Sequence, residues 1–476
     1  MHWSSYNTLF KSERFGPFVY NALSNTLIEL DEAHYELLNR LDREYLPTEL
    51  PDQEFYNLLR DKLFLVRPGE EEDRLLAQHY QRQAACLDSS SMILTIAPTL
   101  RCNFRCPYCF ETSQKHGQTM GKKTQERLLD WIRQYKDINR LSVSWYGGEP
   151  LLSFGTICDL TERFQALDLE YQNAGLVSNG YLLDQDKISR LNDLQITTIQ
   201  ITLDGPQEIH DSRRFLAGGG PTFVRILDNV ANLMESDYAG KCSIRVNVDR
   251  NNYQQYLDLR GSLLERFKGT SLSVYPGHVD ADQGHSYDHG CCLSTEEWTD
   301  FNLGLYREHS VLPHGGLYPR GHTAGMCIAN RRNGFVVGPA GELYKCWEDV
   351  GKPKMIIGNI HQEKPIANPV LQARYTTGME AYSDPECRRC QVLPVCGGGC
   401  VHKRMRSKLN GESNMLYCAA LKKHLTRYLE AYIDALRTKE ICSDLLRSGK
   451  AEPQNKGFRV ISPQVWAQKE EAEQAV

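Results

Sequence analysis

Three cysteines in one short stretch of the chain have the spacing of iron–sulfur ligands. Cys102, Cys106 and Cys109 form a C-x3-C-x2-C pattern directly after an apolar run that predicts a strand. Three thiolates this close together on one loop can hold three irons of a 4Fe–4S cluster. The fourth iron then lacks a protein ligand, so it can bind the amino and carboxylate groups of a small molecule while the reduced cluster delivers an electron. Structural zinc would instead require a closed set of four ligands, and no further cysteine follows nearby to complete one.

The overall composition is that of an ordinary globular protein. Of its 476 residues, 41% are hydrophobic and 24% are charged, with a formal net charge of −5. Because both signs of charge are interspersed, there is no electrostatic argument for binding nucleic acid or an anionic membrane. No stretch reaches the roughly 18 apolar residues of a spanning helix, and the first residues lack a secretory signal pattern. We therefore predict a cytoplasmic protein whose sixteen cysteines serve as metal ligands before they serve as disulfide partners.

Changes in sequence pattern divide the chain into four segments. Residues 1–85 predict a small α+β domain, residues 92–300 a β/α domain, residues 316–425 a cysteine-rich domain, and residues 426–476 a helix with a polar tail. The elements predicted in the first segment are strands at Tyr6–Phe10, Phe18–Asn21, Thr26–Leu30 and Phe64–Val66, a turn at Gly16-Pro17, and helices beginning at Asp31 and Asp52. A short strand is also predicted at Phe458–Ile461. The first segment resembles a winged-helix-like peptide-binding module, and a structural cap on the next domain is the alternative.

The second segment alternates short apolar strands with amphipathic helices. Six β/α units in order predict a parallel sheet that is curled into a partial barrel or wound open. The predicted strands are Met92–Ala97, Leu141–Trp145, Ala174–Ser178, Thr198–Leu203, Lys241–Val248 and Ser271–Pro276. The active site of such a sheet lies beyond the carboxyl ends of its strands. The cysteine triplet follows the first strand, so it belongs to this predicted active site.

A glycine-rich motif follows the second predicted strand. The motif consists of Gly147, Gly148, Glu149 and Pro150. Together with the cysteine triplet, it resembles the GGEP motif of the radical SAM superfamily, which implies a partial (β/α)6 barrel that binds S-adenosylmethionine (SAM) and a 4Fe–4S cluster. The resemblance implies that the two glycines let the backbone approach the methionine moiety, that Glu149 receives its ammonium group and that Tyr108 contacts its adenine. The implied chemistry is a 5′-deoxyadenosyl radical that abstracts hydrogen from an unactivated carbon.

Further polar residues lie in the later strands or directly after them. The candidates are Ser178, Asn179, Thr202, Arg213, Arg214, Arg245 and Asn247. By the same resemblance, the small side chains contact the ribose of SAM, and either Arg213 or Arg214 anchors its carboxylate. Two other interpretations stay open: Asn179-Gly180 and Asp204-Gly205 are equally typical of turns after strands, and each arginine could be a solvated charge at a helix end.

Seven cysteines in the second half form another recognisable pattern. They are Cys327, Cys346, Cys387, Cys390, Cys396, Cys400 and Cys418, with Gly341 completing a C-x13-G-x4-C arrangement between the first two. The pattern resembles the SPASM domain of radical SAM enzymes that modify peptides and proteins, which implies two auxiliary 4Fe–4S clusters. The ligation of that family assigns Cys387, Cys390, Cys396 and Cys418 to one closed cluster, and Cys327, Cys346 and Cys400 to the other.

The second auxiliary set is one ligand short. Relatives place an extra cysteine shortly before the first one, but residues 321–326 contain none. Either Cys291 or Cys292 completes the set, or one iron is open and can bind a substrate thiolate. A zinc-ribbon fold with purely structural metal is the alternative for the whole segment. The other cysteines, at positions 86, 158, 242 and 442, stand in apolar stretches and are predicted to be small core residues.

The resemblance to SPASM maturases covers residues 6–425 and implies a peptide-modifying enzyme. Its partners would be a ribosomally made precursor peptide and a flavodoxin- or ferredoxin-type reductant. Residues 1–85 would bind the leader of the precursor by adding it as a strand to a sheet edge. With two auxiliary clusters to oxidise the substrate radical, the expected product is a crosslink, most simply a Cys thioether.

Two other functions are compatible with the same motifs. An anaerobic sulfatase maturase would oxidise Cys or Ser to formylglycine. Those relatives carry an Asp beside the G-x4-C cysteine as a base, whereas this chain has Trp347 there, and Asp349 becomes the candidate base. A non-enzymatic iron–sulfur electron carrier is the third interpretation. The open triplet and the GGEP motif argue against it, because a carrier gains nothing from an open iron.

Overall fold

The computed structural model of the chain describes residues 1–40, 52–109, 117–279, 289–319, 327–411, 417–438 and 457–461. The elements up to residue 87 are strands β1 (His2–Trp3), β2 (Asn7–Ser12), β3 (Gly16–Asn21), β4 (Thr26–Leu30) and β5 (Leu65–Val66), with helices α1 (Glu32–Arg40), α2 (Gln53–Asp61) and α3 (Glu70–Leu87). The predicted strands and helices of this segment are therefore present.

Strands and helices alternate through the middle of the chain. The strands are β6 (Ser91–Ile96), β7 (Arg140–Trp145), β8 (Glu170–Ser178), β9 (Ile196–Leu203), β10 (Lys241–Val248) and β11 (Leu272–His278). The helices are α4 (Lys122–Arg133), α5 (Phe154–Gln165), α6 (Gln185–Ile188), α7 (Gln207–Arg213), α8 (Phe223–Glu235) and α9 (Tyr256–Arg266). Every second residue of β10 is buried from Cys242 to Val248, as expected for a strand with one face in the core.

Shorter elements make up most of the remaining chain. They are α10 (Thr295–His309), β12 (Gly334–Val337), β13 (Glu342–Tyr344), β14 (Gly358–Asn359), α11 (Pro369–Ala373), α12 (Pro385–Arg388), α13 (Leu393–Cys396), α14 (Val401–Asn410), α15 (Leu421–Thr438) and β15 (Phe458–Ile461). The strand predicted from the apolar residues at 458–461 is thus present. No helix in the described part of the chain is both long and apolar enough to cross a membrane.

The chain folds into two compact units. The first unit draws on residues 1–85, 295–325 and 379–475, and the second on residues 86–294 and 326–378. The seven-cysteine segment is therefore divided between them. Cys327 and Cys346 belong to the second unit, whereas the five cysteines from Cys387 onward belong to the first.

The second unit is built on one large sheet. Among the described residues its strand order is β11-β10-β9-β8-β7-β6-β12-β13-β14. The six strands from β6 to β11 are parallel and neighbour one another in chain order, which confirms the predicted α/β fold with a parallel, partial-barrel-like sheet. Since the strands are parallel, the loops that follow β6, β7, β8, β9 and β10 emerge at one edge of this sheet.

The sheet continues beyond the six predicted strands. β12 pairs parallel with β6, and β13 and β14 follow as antiparallel strands. None of these three strands is among those predicted from the sequence. The signal was weak because β12 is a four-residue apolar run, Gly334–Val337, buried on both faces and without a helix after it.

The first unit contains a four-stranded antiparallel sheet and a two-stranded one. The larger sheet has the order β15-β4-β3-β2, and β1 pairs with β5. Helices α1 and α2 cover one face, where Phe55 and Leu38 pack with Val19 and Ile28 of the sheet.

The predicted turn at Gly16-Pro17 is wrong, because β3 already begins at Gly16. Pro17 pairs with Lys11 of β2, while β4 pairs only from Phe18 onward. Pro17 therefore lies where β3 is bordered by β2 alone, an edge position at which strands tolerate proline.

Candidate active site

The three cysteines of the triplet lie on the loop that follows β6 and are partly buried. Burial raises the pKa of the Cys102 thiol to about 12 and also raises the pKa of Cys106. The backbone N–H of Phe104 donates to Cys102 Sγ at 3.4 Å, and the N–H of Cys109 donates to the carbonyl of Cys106 at 3.2 Å. The thiols of Cys102 and Cys106 are thus protonated without metal, and cluster binding must release their protons.

The GGEP turn packs its backbone directly against the cysteine loop. The N–H of Gly148 donates to the carbonyl of Thr99 at 3.1 Å, and the N–H of Glu149 donates to the carbonyl of Arg101 at 2.9 Å. A Cβ on Gly147 would collide with the carbonyl oxygen of Thr99, and one on Gly148 would collide with that of Arg101. The contact between these two loops therefore requires glycine at both positions, a reason that the sequence alone did not indicate.

Glu149 connects the ends of two neighbouring strands. Its carboxylate is fully buried and accepts hydrogen bonds from the N–H of Leu151 at 3.0 Å, from Ser178 Oγ at 2.8 Å and from the N–H of Asn179 at 2.8 Å. Burial raises the pKa of Glu149, whereas these hydrogen bonds act in the opposite direction. Asn179 also donates from Nδ2 to Asn103 Oδ1 at 2.8 Å. Three predicted residues, Glu149, Ser178 and Asn179, thus meet beside the cysteine loop.

Tyr108 joins the cysteine loop to a buried charged network. Its hydroxyl donates to Asp204 Oδ1 at 2.8 Å, and it accepts from Arg214 Nη1 at 2.7 Å and from Asn247 Nδ2 at 3.2 Å. Burial raises the pKa of Tyr108 well above its usual value, so the hydroxyl stays protonated. Asp204 is fully buried in this network. Its side chain therefore binds Tyr108 in addition to standing in the turn after β9.

The two neighbouring arginines have different partners. Arg213 donates to Asp204 Oδ2 and to Asp249 Oδ2, both at 2.8 Å, and both carboxylates are fully buried. Arg214 is 9% exposed and uses Nη1 on Tyr108, while its Nε has no hydrogen-bond partner among the described residues. Arg213 therefore connects the ends of β9 and β10, and Arg214 keeps a buried donor for another group.

Asp249 and Asn252 belong to the same network but are not among the residues predicted from the sequence. Asn252 Nδ2 donates to the carbonyl of Asn247 at 2.7 Å, and its Oδ1 accepts from the N–H of Asp249 at 2.7 Å. A signal was present, since Asp249 directly follows β10 just as Asp204 directly follows β9. Acidic residues at the same point of adjacent parallel strands are expected to meet at one edge of the sheet.

The other predicted contacts of SAM lie on or beside the same strands. Thr202 is buried in β9 and pairs in register with Arg245 of β10. Arg245 Nε donates to Asn247 Oδ1 at 3.1 Å. Pro150 is buried and opens a short 3-10 turn over Pro150–Ser153.

Replacing Tyr108 by phenylalanine is expected to destabilise this network. The change removes one hydroxyl that serves Asp204, Arg214 and Asn247, so the free energy of unfolding should fall by about 1–3 kcal/mol. Chemical denaturation of the two proteins measures the difference. In the control Tyr253→Phe, which alters a surface tyrosine, the change should stay within about 0.5 kcal/mol; equal losses in both variants would contradict the network.

The cysteines of the second half form neighbouring sets within each unit. In the second unit, burial raises the pKa of Cys346 well above its usual value, and the thiol of Cys327 is among the neighbouring charges that raise it further. In the first unit, burial raises the pKa of Cys418, and the thiols of Cys396, Cys387 and Cys390 add to the increase. These four are the residues that the SPASM resemblance assigns to one cluster. Their ligation stays a prediction, as does that of Cys400, which lies at the start of α14.

A run of glycines shapes the loop between Cys396 and Cys400. Gly397, Gly398 and Gly399 all have positive φ, at 59°, 100° and 69°. A Cβ on Gly399 would collide with the carbonyl oxygen of Tyr417, so the glycine lets residue 417 and the adjacent Cys418 approach this loop. On the other side, Arg404 Nη2 donates to Cys387 Sγ at 2.8 Å, a contact suited to a thiolate.

Trp347 and Asp349, which both follow Cys346 closely, have contrasting surroundings. Trp347 is 43% exposed and stacks on Tyr146, with ring centroids 5.8 Å apart and planes at 19°. Asp349 is fully buried, and Tyr375 Oη donates to its Oδ2 at 2.5 Å. The exposed group next to the GGEP turn is therefore aromatic, not acidic.

Cys291 and Cys292, the alternative ligands for the incomplete cluster, are buried beside Val279. The N–H of Arg250, just past β10, donates to the carbonyl of Cys291 at 2.8 Å. The pair thus lies near the β10–β11 margin of the sheet order, whereas Cys346 follows β13 near the other margin.

The donor groups of the site fit the implied cofactors. Among the described residues, no three Cys, His, Asp or Glu side chains converge as ligands of a single metal ion would. The cysteine sets are all thiols, which suits a cluster in which each thiolate binds a different iron. Beside the triplet, the partnerless Nε of Arg214 and the Glu149 carboxylate match the carboxylate and ammonium groups of SAM.

Comparisons with known proteins agree with this geometry. Residues 96–261 match the sequence profile of the radical SAM superfamily. A serine-type anaerobic sulfatase-maturating enzyme of Bacteroides thetaiotaomicron is 21% identical over 380 residues, which cover 71% of this chain and 88% of that protein. The radical SAM cyclopropyl synthase TigE of Paramaledivibacter caminithermalis is 24% identical over 247 residues, covering 46% and 51% of the two chains.

Two solved structures share the fold. Native anSMEcpe with bound AdoMet superimposes with a TM-score of 0.55 at 21% identity, covering 73% of this chain and 98% of that one. SuiB of Streptococcus suis bound to the precursor peptide SuiA gives a TM-score of 0.50 at 16% identity, covering 89% and 99%. Residues 96–261 thus match the radical SAM superfamily, whose members bind SAM and a 4Fe–4S cluster, and the chain is similar in sequence to sulfatase maturases and in fold to anSMEcpe and SuiB.

Proposed function

We propose that this protein is a radical SAM maturase that crosslinks a ribosomally made precursor peptide, joining a cysteine sulfur to a carbon as a thioether. One observation supports the radical chemistry above all others: backbone hydrogen bonds join the cysteine loop to the GGEP turn. They bring Cys102 and Glu149 together at the carboxyl ends of the strands. The peptide substrate is inferred from the relatives, since SuiB is described with its precursor peptide. A flavodoxin- or ferredoxin-type protein is the proposed electron donor.

The radical site would be held by groups that this chain positions in advance. Cys102, Cys106 and Cys109 would bind one 4Fe–4S cluster, which with SAM supplies a 5′-deoxyadenosyl radical for hydrogen abstraction. Glu149, fixed by three hydrogen bonds, would orient the ammonium group of SAM, and Arg214 would receive its carboxylate. Because these side chains are already buried and oriented, little reorganisation accompanies binding.

Two further clusters would accept the electron released when the crosslink forms. Cys387, Cys390, Cys396 and Cys418 are the proposed ligands of a closed auxiliary cluster, and Cys327, Cys346 and Cys400 those of the second. Four thiolates on one cluster suit electron transfer. The donor from Arg404 to Cys387 would stabilise the thiolate form and raise the reduction potential of that cluster.

The surroundings of Cys346 favour a thioether over formylglycine. Formylglycine chemistry needs a base in contact with the substrate, but Asp349 is fully buried against Tyr375 while the exposed neighbour is Trp347. Sequence similarity still supports formylglycine formation as the alternative, because sulfatase-maturating enzymes align with this chain over most of their length. We therefore propose that Asp349 stabilises the turn after Cys346 through its hydrogen bond with Tyr375.

The product distinguishes the two functions. We would incubate reconstituted enzyme with SAM, reductant and cysteine-rich peptides encoded beside the gene, and analyse them by tandem mass spectrometry. A peptide in which a thioether has formed is expected to weigh two hydrogens less, to keep its sulfur and to resist thiol alkylation. Loss of sulfur with gain of an aldehyde oxygen would establish formylglycine instead, and unmodified peptide despite SAM cleavage would contradict both.

The variant Asp349→Asn tests the role of this carboxylate. An amide oxygen can still accept from Tyr375 but cannot take up a proton, so we expect peptide product to stay within about threefold of wild type. Product formation and 5′-deoxyadenosine release are measured side by side. Loss of product by about 10²–10⁴-fold with SAM cleavage retained would identify Asp349 as a general base; Tyr375→Phe, which keeps the carboxylate, is the matched control.

A further inference from the structure

In the first unit, the edge of β4 that faces away from β3 is covered by β15. β15 pairs antiparallel with β4, from Phe458 opposite Leu30 to Ile461 opposite Leu27. β15 is short and has β4 as its only strand neighbour in the described residues. A strand edge offers a row of backbone N–H and C=O groups, which any extended segment of suitable side chains can pair with.

The side chains of β15 fill a groove lined by aromatic rings. The ring of Phe458 lies 4.9 Å from that of Phe55 and 5.5 Å from that of His34. Phe458 and Val460 both pack against the core between the sheet and helices α1 and α2, while Arg459 between them is exposed. The groove thus selects an aromatic residue two positions before an apolar, β-branched one.

The entry to the groove has its own requirement. The N–H of Asp31 donates to the carbonyl of Gly457 at 2.7 Å. Gly457 has a φ of 73°, and a Cβ there would collide with Asp31 Oδ2 and with the ring of His34. A residue other than glycine at this point would therefore strain the backbone and push the strand away from the edge.

The carboxylates around the groove already have partners within this unit. Asp31 and Asp52 lie on either side of His34, and Glu29, which stands opposite Arg459 in the strand pairing, is paired with Arg437. The side chain of Arg459 is exposed. The groove therefore selects an extended segment by its aromatic anchor, and the charge of Arg459 contributes little.

We propose that the β4 edge is a receiving site for an extended peptide strand, and that residues 457–461 occupy it as an internal ligand that an incoming peptide must displace. The identity of that peptide, the leader of the substrate, rests on the proposed function; the strand site itself does not. Since residues 439–456 tether β15 to α15, the internal strand competes at high effective concentration. A free peptide therefore binds with an apparent affinity reduced by the fraction of molecules in which the edge is uncovered.

Binding of a labelled peptide to full-length protein tests this site. The probe is a fluorescent synthetic copy of residues 456–463, and binding is followed by anisotropy to wild type, Gly457→Ala and Arg459→Ala. We expect Gly457→Ala to bind the probe at least about tenfold more tightly than wild type. Arg459→Ala, which changes an exposed side chain, should match wild type. A second probe with alanine at the position of Phe458 should bind weakly to all three.

The same experiment can overturn the proposal. Equal binding of the probe to wild type and Gly457→Ala, or no binding to either, would show that β15 is a permanent part of the sheet. The variant Phe458→Asp gives an independent release of the strand if Gly457→Ala fails to fold, and circular dichroism with denaturant unfolding reports intact folding of each protein. If Gly457→Ala does not bind the probe more tightly but the enzyme still crosslinks its peptide, only this inference is contradicted. If the probe binds as expected but no crosslink forms, only the proposed function is contradicted.

Discussion

Replacing Cys102, Cys106 and Cys109 together by alanine is expected to abolish SAM cleavage and to remove about one third of the bound iron. Three 4Fe–4S clusters correspond to about twelve irons per chain, and loss of the radical cluster leaves about eight. Cleavage should fall by at least about a thousandfold, because the remaining protein groups cannot deliver an electron to the sulfonium. Iron, sulfide and 5′-deoxyadenosine are measured after anaerobic reconstitution.

A single cysteine elsewhere in the same unit provides the control. Cys158 is partly buried on α5 and is assigned no ligand role, so Cys158→Ala should keep the iron content and the activity of wild type. Zinc in place of iron, or cleavage that survives the triple substitution, would refute the radical site and leave a metal-binding scaffold.

Arg213→Ala is expected to cause the largest loss of stability among single substitutions near the site. Arg213 pairs with Asp204 and Asp249 at 2.8 Å each, and both carboxylates are fully buried. Removing the guanidinium takes the 2.8 Å partner from both buried carboxylates, and Arg214 lies 3.9 Å from Asp204, so the expected cost is about 3–5 kcal/mol in the free energy of unfolding. Denaturant unfolding followed by circular dichroism measures this change.

A surface ion pair gives the matched comparison. Arg190 pairs with Glu162 at 2.9 Å, but 43% of the Arg190 side chain and 60% of the Glu162 side chain are exposed. Arg190→Ala should therefore cost no more than about 1 kcal/mol. Similar losses for the two arginines would show that the buried network contributes little, and that β9 and β10 are held together by the sheet alone.

Local patterns in the chain were sufficient for several features. The apolar runs from Met92 onward predicted six strands, because hydrogen-bonded strands with buried faces require such runs wherever the chain folds. The triplet and the GGEP motif lie close together in the folded unit, since both follow neighbouring parallel strands and such strands present their carboxyl ends at one edge. Likewise, the apolar alternation at Phe458–Ile461 was enough to predict β15.

Other features depend on distant contacts that no local pattern records. The glycines of the GGEP turn are required by the carbonyls of Thr99 and Arg101, and the roles of Arg213 and Arg214 differ only through the partners that the fold brings to each. The addition of β12 to β14 to the sheet was likewise invisible, because a four-residue apolar run does not reveal which strand it joins.

The chain alone therefore predicted which residues carry the chemistry, because iron ligands, turn glycines and strand-forming runs are properties of residue type and spacing. Only the tertiary structure decided how these residues are paired. It placed Asp249 beside Arg213, left Arg214 with a donor to spare and laid the last described strand over the edge of β4. Pairings of this kind depend on which segments meet after folding, and segments far apart in sequence carry no signal of one another until the chain is packed.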